Sequence, residues 1–253
     1  YKSCKYTERM IKNKNISNLR IDLTINDFGL NKTYFLEKTK KSRHSYLKNL
    51  VTVVLFAPEQ IEIIDRTMSF RREYFDKFLS GIDSEYKKRL TNYNQALRKR
   101  NKILELSFKN LNIKQELDFW NKYLIDQGSY LIKKRTEYIK YLNSNKNIDS
   151  KEFLIKYKAS DLSLDRFNEY YNKELLIKKT LIGPHRDEYH IFLVNKSFLK
   201  KDIHMYGSRS EQRLGLVWLK INELKYLEDF FKKKPVLLLD DIFSELDHNN
   251  LKL

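Results

Sequence analysis

At 253 residues, 41% hydrophobic and 33% charged, the chain can bury the core of one large or two modest domains and is no disordered tail. One cysteine, Cys4, excludes an internal disulfide framework and a cysteine-rich zinc site, and no run nears the roughly 18 apolar residues of a membrane span or reads as a signal peptide, so a soluble, cytoplasmic protein is expected. The formal net charge of +17 points to phosphate-rich partners through counterion release, or else reflects a bias toward Lys, Asn, Ile and Tyr without functional meaning.

Asn18 to Asp27 alternates Leu19, Ile21, Leu23 and Ile25 with Arg20, Asp22, Thr24 and Asn26, the period of a half-buried antiparallel strand. Asp27-Phe28-Gly29 then turns the chain into a second strand near Thr33 to Glu37. Leu50 to Phe56 is a nearly unbroken apolar run stopped by Pro58, which predicts a strand buried on both faces, left by the loop Ala57-Pro58-Glu59-Gln60. From Met68 to Ile177 the pattern becomes helical and charged. Tyr86, Leu90, Tyr93, Leu97 and Leu104 share one stripe, and Leu117, Leu124, Leu131 and Tyr138 share the next, so the two helices should pack as an antiparallel hairpin. A third helix, capped by Ser163 and carrying Leu164, Phe167, Tyr171 and Leu175, should cover them. After Thr180 the chain returns to α/β character, with a bend at Gly183-Pro184 and a strand from Glu188 to Val194. Between them, either His185 and Arg186 face a phosphate group, or Arg186 and Asp187 form an ion pair that shapes the bend.

The stretch richest in chemistry runs from Met205 to Asp247. Gly207-Ser208-Arg209-Ser210-Glu211 is a small polar turn into a helix with apolar Leu214, Val217, Leu219 and Ile221, which sets backbone N–H groups and a hydroxyl at a helix N-terminus, where phosphate binds readily. Val236 to Leu239 then runs into Asp240 and Asp241, as a buried parallel strand delivers carboxylates to the rim of a sheet. Such acids hold a hydrated Mg²⁺ and orient water, or merely cap the next helix. Ser244-Glu245-Leu246-Asp247 follows. The six glycines are too scattered to form G-x-x-x-x-G-K-[ST]. With Tyr1 at its start and Leu253 just past the acids, the sequence reads as a fragment lacking a P-loop and a C-terminal end.

This order of turn, helix, strand, two acids and Ser-x-x-Asp resembles the signature motif, Walker B strand and D-loop of ABC-type ATPases of the SMC group. YGSRSEQR, LLLDDIFSELD, GPHRD (Gly183 to Asp187), VLFAPEQIEII and YNQALRKRN are similar to the RecF family in particular. The resemblance implies an α/β fold: an ABC/SMC-type ATPase head, P-loop NTPase in class and incomplete, with an inserted short α-helical arm. Residues 1–67 would form the β-rich N-terminal part of the head, 68–178 the arm and 179–253 the C-terminal part.

By the same resemblance Asp240 would hold Mg²⁺ through water and Asp241 would take the place of the catalytic base. Ser208, Arg209, Ser210 and Glu211 would contact ATP bound to a second subunit, and Ser244 and Asp247 would lie in that dimer interface. Glu59 or Gln60 would stand in the Q-loop, an assignment no firmer than a plain strand-to-helix turn. Ser210 replaces a glycine of the family pattern, which should weaken ATP-driven dimerisation if that position needs positive φ or close approach to phosphate. The implied function is an ATP-gated dimeric clamp on single- and double-stranded DNA, acting without sequence preference in replication, recombination, repair and the SOS response. It would load RecA with RecO and RecR, through slow ATP hydrolysis in the full-length protein and none in this stretch alone. The alternatives are another short-armed SMC-like ATPase of a phage or defence system, and a helical scaffold whose ATPase function has been lost.

Overall fold

The computed structural model describes residues 2–12, 15–26, 29–42, 52–106, 113–148, 150–194 and 199–240. The expected turn at Asp27-Phe28, and Asp241, Ser244 and Asp247, lie outside them. The chain divides into two compact units, residues 1–53 with 234–236, and residues 54–233 with 237–253.

The first unit is a meander of β1 (Lys2–Lys12), β2 (Asn15–Asn26), β3 (Gly29–Leu36) and β4 (Thr39–Lys41), every neighbouring pair antiparallel. The alternating pattern of β2 is thus a strand, as its period predicts. Its polar face is not simply solvated. Arg20 stands opposite Phe35 in the β2–β3 register, lays its guanidinium 4.1 Å from that ring and pairs with Asp22 at 3.1 Å.

The strand β5 (Val53–Phe56), all but its first residue in the second unit, passes through a 3-10 turn, Pro58–Ile61, into α1 (Glu62–Asp65). The helices α2 (Met68–Ile82), α3 (Ser84–Glu105) and α4 (Ile113–Ser144) follow. Asp83 caps α3 by accepting from the N–H groups of Glu85 and Tyr86, both at 2.9 Å. The predicted stripes meet as a hairpin: Tyr86, Leu104, Leu124, Leu131 and Tyr138 are fully buried, and each such aliphatic or aromatic side chain contributes about 1.5–3 kcal/mol by leaving water. Ser163 caps α5 (Leu164–Ile177) as expected, its hydroxyl accepting from Arg166 N–H at 3.1 Å.

The segment read as wholly helical also holds β6 (Asn147–Ile148) and β7 (Lys151–Lys158), which join β8 (Glu188–Val194) and β9 (Lys200–Asp202) in an antiparallel sheet. KEFLIKYK has a strand's period, with Phe153 and Ile155 buried, and pairs with a strand more than thirty residues later in sequence that local reading does not supply. The sheet is sealed by Phe153 stacked on Trp218 at 5.7 Å and by Tyr189 stacked on Phe75 at 4.4 Å. Trp218 belongs to α7 (Arg209–Phe231), which follows the short α6 (Ile203–Tyr206). Finally β10 (Val236–Leu239) pairs with β5.

The expectations that β5 is buried on both faces and that β10 is a buried strand are not met among the described residues. Val53 and Leu55 are 47% and 46% exposed while Val54 and Phe56 are buried, so β5 packs one face only. All of β10 is exposed. Among the described residues these two strands pair only with each other, and a two-stranded sheet has too few neighbours to cover both of its faces.

Candidate functional site

The register of β5 and β10 sets the site. Val236 N–H donates to Thr52 O at 2.8 Å and Asp240 N–H donates to Phe56 O at 2.9 Å, so the strands run parallel and end together. The loop after β5 and Asp240 after β10 therefore leave the sheet on one edge, the carboxyl end where α/β folds place ligands. Asp240 is exposed there. Among the described residues no three His, Cys, Asp or Glu side chains converge to form a metal cage. Asp240 fits a different mode, a hydrated Mg²⁺ held by one or two carboxylates and by substrate phosphates.

Beside it, Glu59 is exposed, while the Gln60 side chain turns back, its Oε1 accepting from Ala57 N–H at 3.2 Å and closing the 3-10 turn. In this conformation Gln60 shapes the loop.

The turn before α7 is a capping box. Ser208 Oγ accepts from Glu211 N–H at 3.3 Å and Glu211 Oε2 accepts from Ser208 N–H at 2.7 Å, with Lys201 Nζ also 2.7 Å from that oxygen. Burial raises the Glu211 pKa, but the bonds from Lys201 and Ser208 outweigh it and hold the carboxyl below its usual value. Glu211 is thus a framework residue of the turn. Arg209, exposed and 3.6 Å from Asp65, presents its charge to solvent. Gly207 is required, since a Cβ would lie 2.4 Å from Ile203 O. Ser210 is not strained: positive φ among the described non-glycine residues occurs only at Glu37, Lys178 and Lys232. The expected backbone penalty for replacing glycine at Ser210 is therefore absent, because the residue lies inside the first turn of α7.

At the Gly183 to Asp187 corner the structure removes the Arg186–Asp187 pair and ties His185 to protein groups, while Arg186 stays exposed. Arg186 does not pair with Asp187. Asp187 is fully buried and bound by Arg135 of α4, whose Nη1 lies 2.6 Å from Oδ2; Ser160 N–H donates to Oδ1 at 2.8 Å, and Tyr157 OH donates to Oδ2. Burial pushes the Asp187 carboxyl up against the pull of Arg135, yet three donors around it mark an ionised acceptor. Arg135 also binds Asp76 at 2.7 Å and donates to Pro184 O at 2.8 Å. Despite burial, Tyr189, Asp76, Tyr86 and Asp187 hold its guanidinium more basic than usual.

His185 is half-buried, and both of its ring nitrogens are engaged by protein groups. Its Nε2–H donates to Thr180 O at 3.1 Å and its Nδ1 accepts from Tyr93 OH at 2.8 Å, so both ring nitrogens are occupied in the neutral form. Burial lowers its pKa to about 4. Arg186 alone of the three points outward.

Sequence reading missed two charged anchors that join the hairpin to the rest of this unit. Arg135, and Arg100 bound to Glu174 at 2.6 Å with side-chain exposures of 1% and 0%, stand within the stripes. Arg100 falls between Leu97 and Leu104, and Arg135 between Leu131 and Tyr138, so a cation at a core position was the available signal.

No protein-family profile matches the chain. Among curated proteins it is 36% identical over 215 residues to the DNA replication and repair protein RecF of Lachnoclostridium phytofermentans, covering 81% of this chain and 58% of that relative. It is 32% identical over 251 residues to RecF of Agathobacter rectalis, covering 95% and 68%, and 34% identical over 245 residues to RecF of Clostridium perfringens, covering 90% and 65%. Two solved structures of the recombination mediator protein RecF, one with ATPrS and one with ATP, superpose with TM-scores of 0.77 and 0.76 at 29% and 28% identity. They match 92% and 94% of this chain, which spans 69% of either. The fold is that of an ABC-type ATPase head with an inserted helical arm, and, on identity across most of its length to relatives of which it spans 58% to 68%, the chain belongs to the RecF family of DNA replication and repair proteins.

Proposed function

We propose that the chain forms the head (1–67 and 179–253) and arm (68–178) of an ATP-gated, dimeric DNA-binding protein of the cytoplasm. The observation that carries this reading is the parallel pairing of β5 and β10, which sets Asp240 beside the Glu59-Gln60 loop at one sheet edge. The superposition on RecF structures with ATP and ATPrS supports ATP as its ligand. In this reading Asp240 holds hydrated Mg²⁺, which neutralises charge on the phosphates when bound. Asp241 accepts the proton of the attacking water. Ser208, Arg209 and the N–H groups of the first turn of α7 face ATP held by a second copy, with Ser244 and Asp247 in the same interface. Glu211 acts through the capping box and not by direct contact. DNA held through its phosphates, single- or double-stranded, and RecA loading with RecO and RecR complete the reading.

The test is Asp241→Asn in the full-length protein. Turnover should fall about 100-fold, as for loss of a general base, with binding of a fluorescent ATP analogue unchanged. Unaltered turnover removes Asp241 from the mechanism.

A further inference from the structure

A cleft of about 540 Å³ opens between α5, the exit of β7 and the corner at Arg186, and Asp240 is not among its lining residues. One wall is a helical stripe of α5, Arg166, Tyr170, Lys173 and Ile177, spaced by three and four residues so that all four face one way. The opposite wall carries Lys158 and Arg186, and the only carboxylate lining the cleft is that of Glu188. The cations are weakly neutralised. Lys158 meets Glu188 at 3.4 Å with 69% of its side chain exposed, a pair of little strength in water. Arg186 reaches only Thr180 O, at 3.4 Å, and the Lys173 side chain stands in solvent.

The floor offers a ligand few polar contacts of its own. Ser160 N–H donates to Asp187 Oδ1, Gly183 N–H donates to Ser160 Oγ at 3.0 Å, and Arg186 N–H donates to Gly183 O at 2.7 Å. What remains for recognition is positive charge on a rigid frame. Arg166 is held by donation to Asp161 O at 2.8 Å and lies 5.6 Å from the Tyr170 ring, and the chain at Arg186 adjoins the buried Asp187–Arg135 pair. Of the four cations Arg166 is the one placed in advance, and it loses little freedom when it binds an anion.

We propose that this cleft is a binding site for the sugar-phosphate backbone of nucleic acid, gripped by Lys158, Arg166, Lys173 and Arg186 and blind to base sequence. Recognition by charge alone fixes a backbone without reading base edges. The proposal rests on the DNA-binding reading above and adds where that binding occurs. Because Arg186 adjoins Asp187, the site is tied through Arg135 to the helical arm.

The experiment measures binding of fluorescein-labelled single-stranded and duplex oligonucleotides by anisotropy over a range of salt, using the full-length protein. Lys173→Glu with Arg186→Glu is compared with Lys158→Ala with Lys173→Ala, which leaves the corner untouched, and with Lys87→Glu and Lys88→Glu on exposed positions of α3, a control equal in charge change to the first variant. Both cleft variants should weaken binding at least about tenfold, and the slope of log affinity on log salt should flatten by about 1.4 for the single strand and about 1.8 for duplex, two phosphate contacts in each case. The control should change affinity less than about threefold. Equal losses in cleft and control variants, or unchanged binding by the cleft variants, would overturn the proposal while leaving DNA binding intact. Preference for polyglutamate over DNA would also overturn it and assign the cleft to an acidic protein segment. A wild-type protein that binds neither oligonucleotide would remove the DNA-binding reading itself.

Discussion

His185 separates a phosphate-facing residue from a structural one, and pH reads the difference. Its Nδ1 accepts from buried Tyr93 and its Nε2–H is committed to Thr180 O, so protonation displaces a hydrogen bond in a site that already contains the charges of Arg186, Arg72 and Arg100. Burial, aided by those cations, lowers the pKa from 6.5 to about 4. The folded state therefore binds fewer protons than the unfolded state between these values, and stability rises with pH across that window. Relative to neutral pH, about 2 kcal/mol should be lost at pH 5 and about 3 kcal/mol once pH falls below 4, at about 1.4 kcal/mol per unit. Urea unfolding followed by circular dichroism at pH 7, 6 and 5, on wild type and His185→Gln, isolates this contribution as the difference between the two, because the carboxylates are common to both. The variant should lose about 2 kcal/mol less than wild type from pH 7 to pH 5. Parallel stability profiles would refute the neutral, doubly bonded histidine, and a wild type steadier than the variant on acidification would assign it a charged role.

Two further substitutions probe the framework around it. Glu174→Leu strands the buried Arg100 guanidinium and should cost about 3–5 kcal/mol, seen as a fall of about 1–1.7 M in the urea midpoint for a slope near 3 kcal/mol/M. Adding Arg100→Met should recover much of that, and equal losses in single and double variants would contradict a desolvated ion pair. Gly183→Ala forces a side chain onto φ 117°, with its Cβ 2.5 Å from the Tyr93 hydroxyl, and should destabilise by about 1–3 kcal/mol in the same assay. A neutral effect would show that the bend relaxes freely.

What was legible in the sequence follows from which signals are local. The hairpin stripes at Tyr86, Leu104, Leu124, Leu131 and Tyr138 are set by helical period alone, and all five are buried. The Ser163 and Ser208 caps declare themselves within three residues. Strand β7 did not, because its period is short and its partner β8 lies beyond a helix. The corner at Gly183 to Asp187 was legible as a bend but not as a network: Asp187 has a neighbouring arginine in sequence, yet its partner is Arg135, 52 residues away. Coulomb attraction does not decide between two arginines at the level of sequence; burial does, since only Arg135 is already enclosed by Asp76, Tyr86 and Pro184. The same burial turned His185 from a candidate ligand into a neutral hydrogen-bonding post.

Ser210 illustrates the opposite case. Its side chain looked incompatible with a glycine position, and the helical backbone removes that conformational objection. The account therefore places no backbone obstacle in the way of a second copy approaching the turn before α7. Light scattering of the full-length protein, with and without saturating ATP and Mg²⁺, tests this most directly. The account predicts that the measured mass doubles on adding ATP and returns to the monomer value when Arg209 is changed to Glu, whereas an unchanged monomer mass at saturating ATP would contradict it.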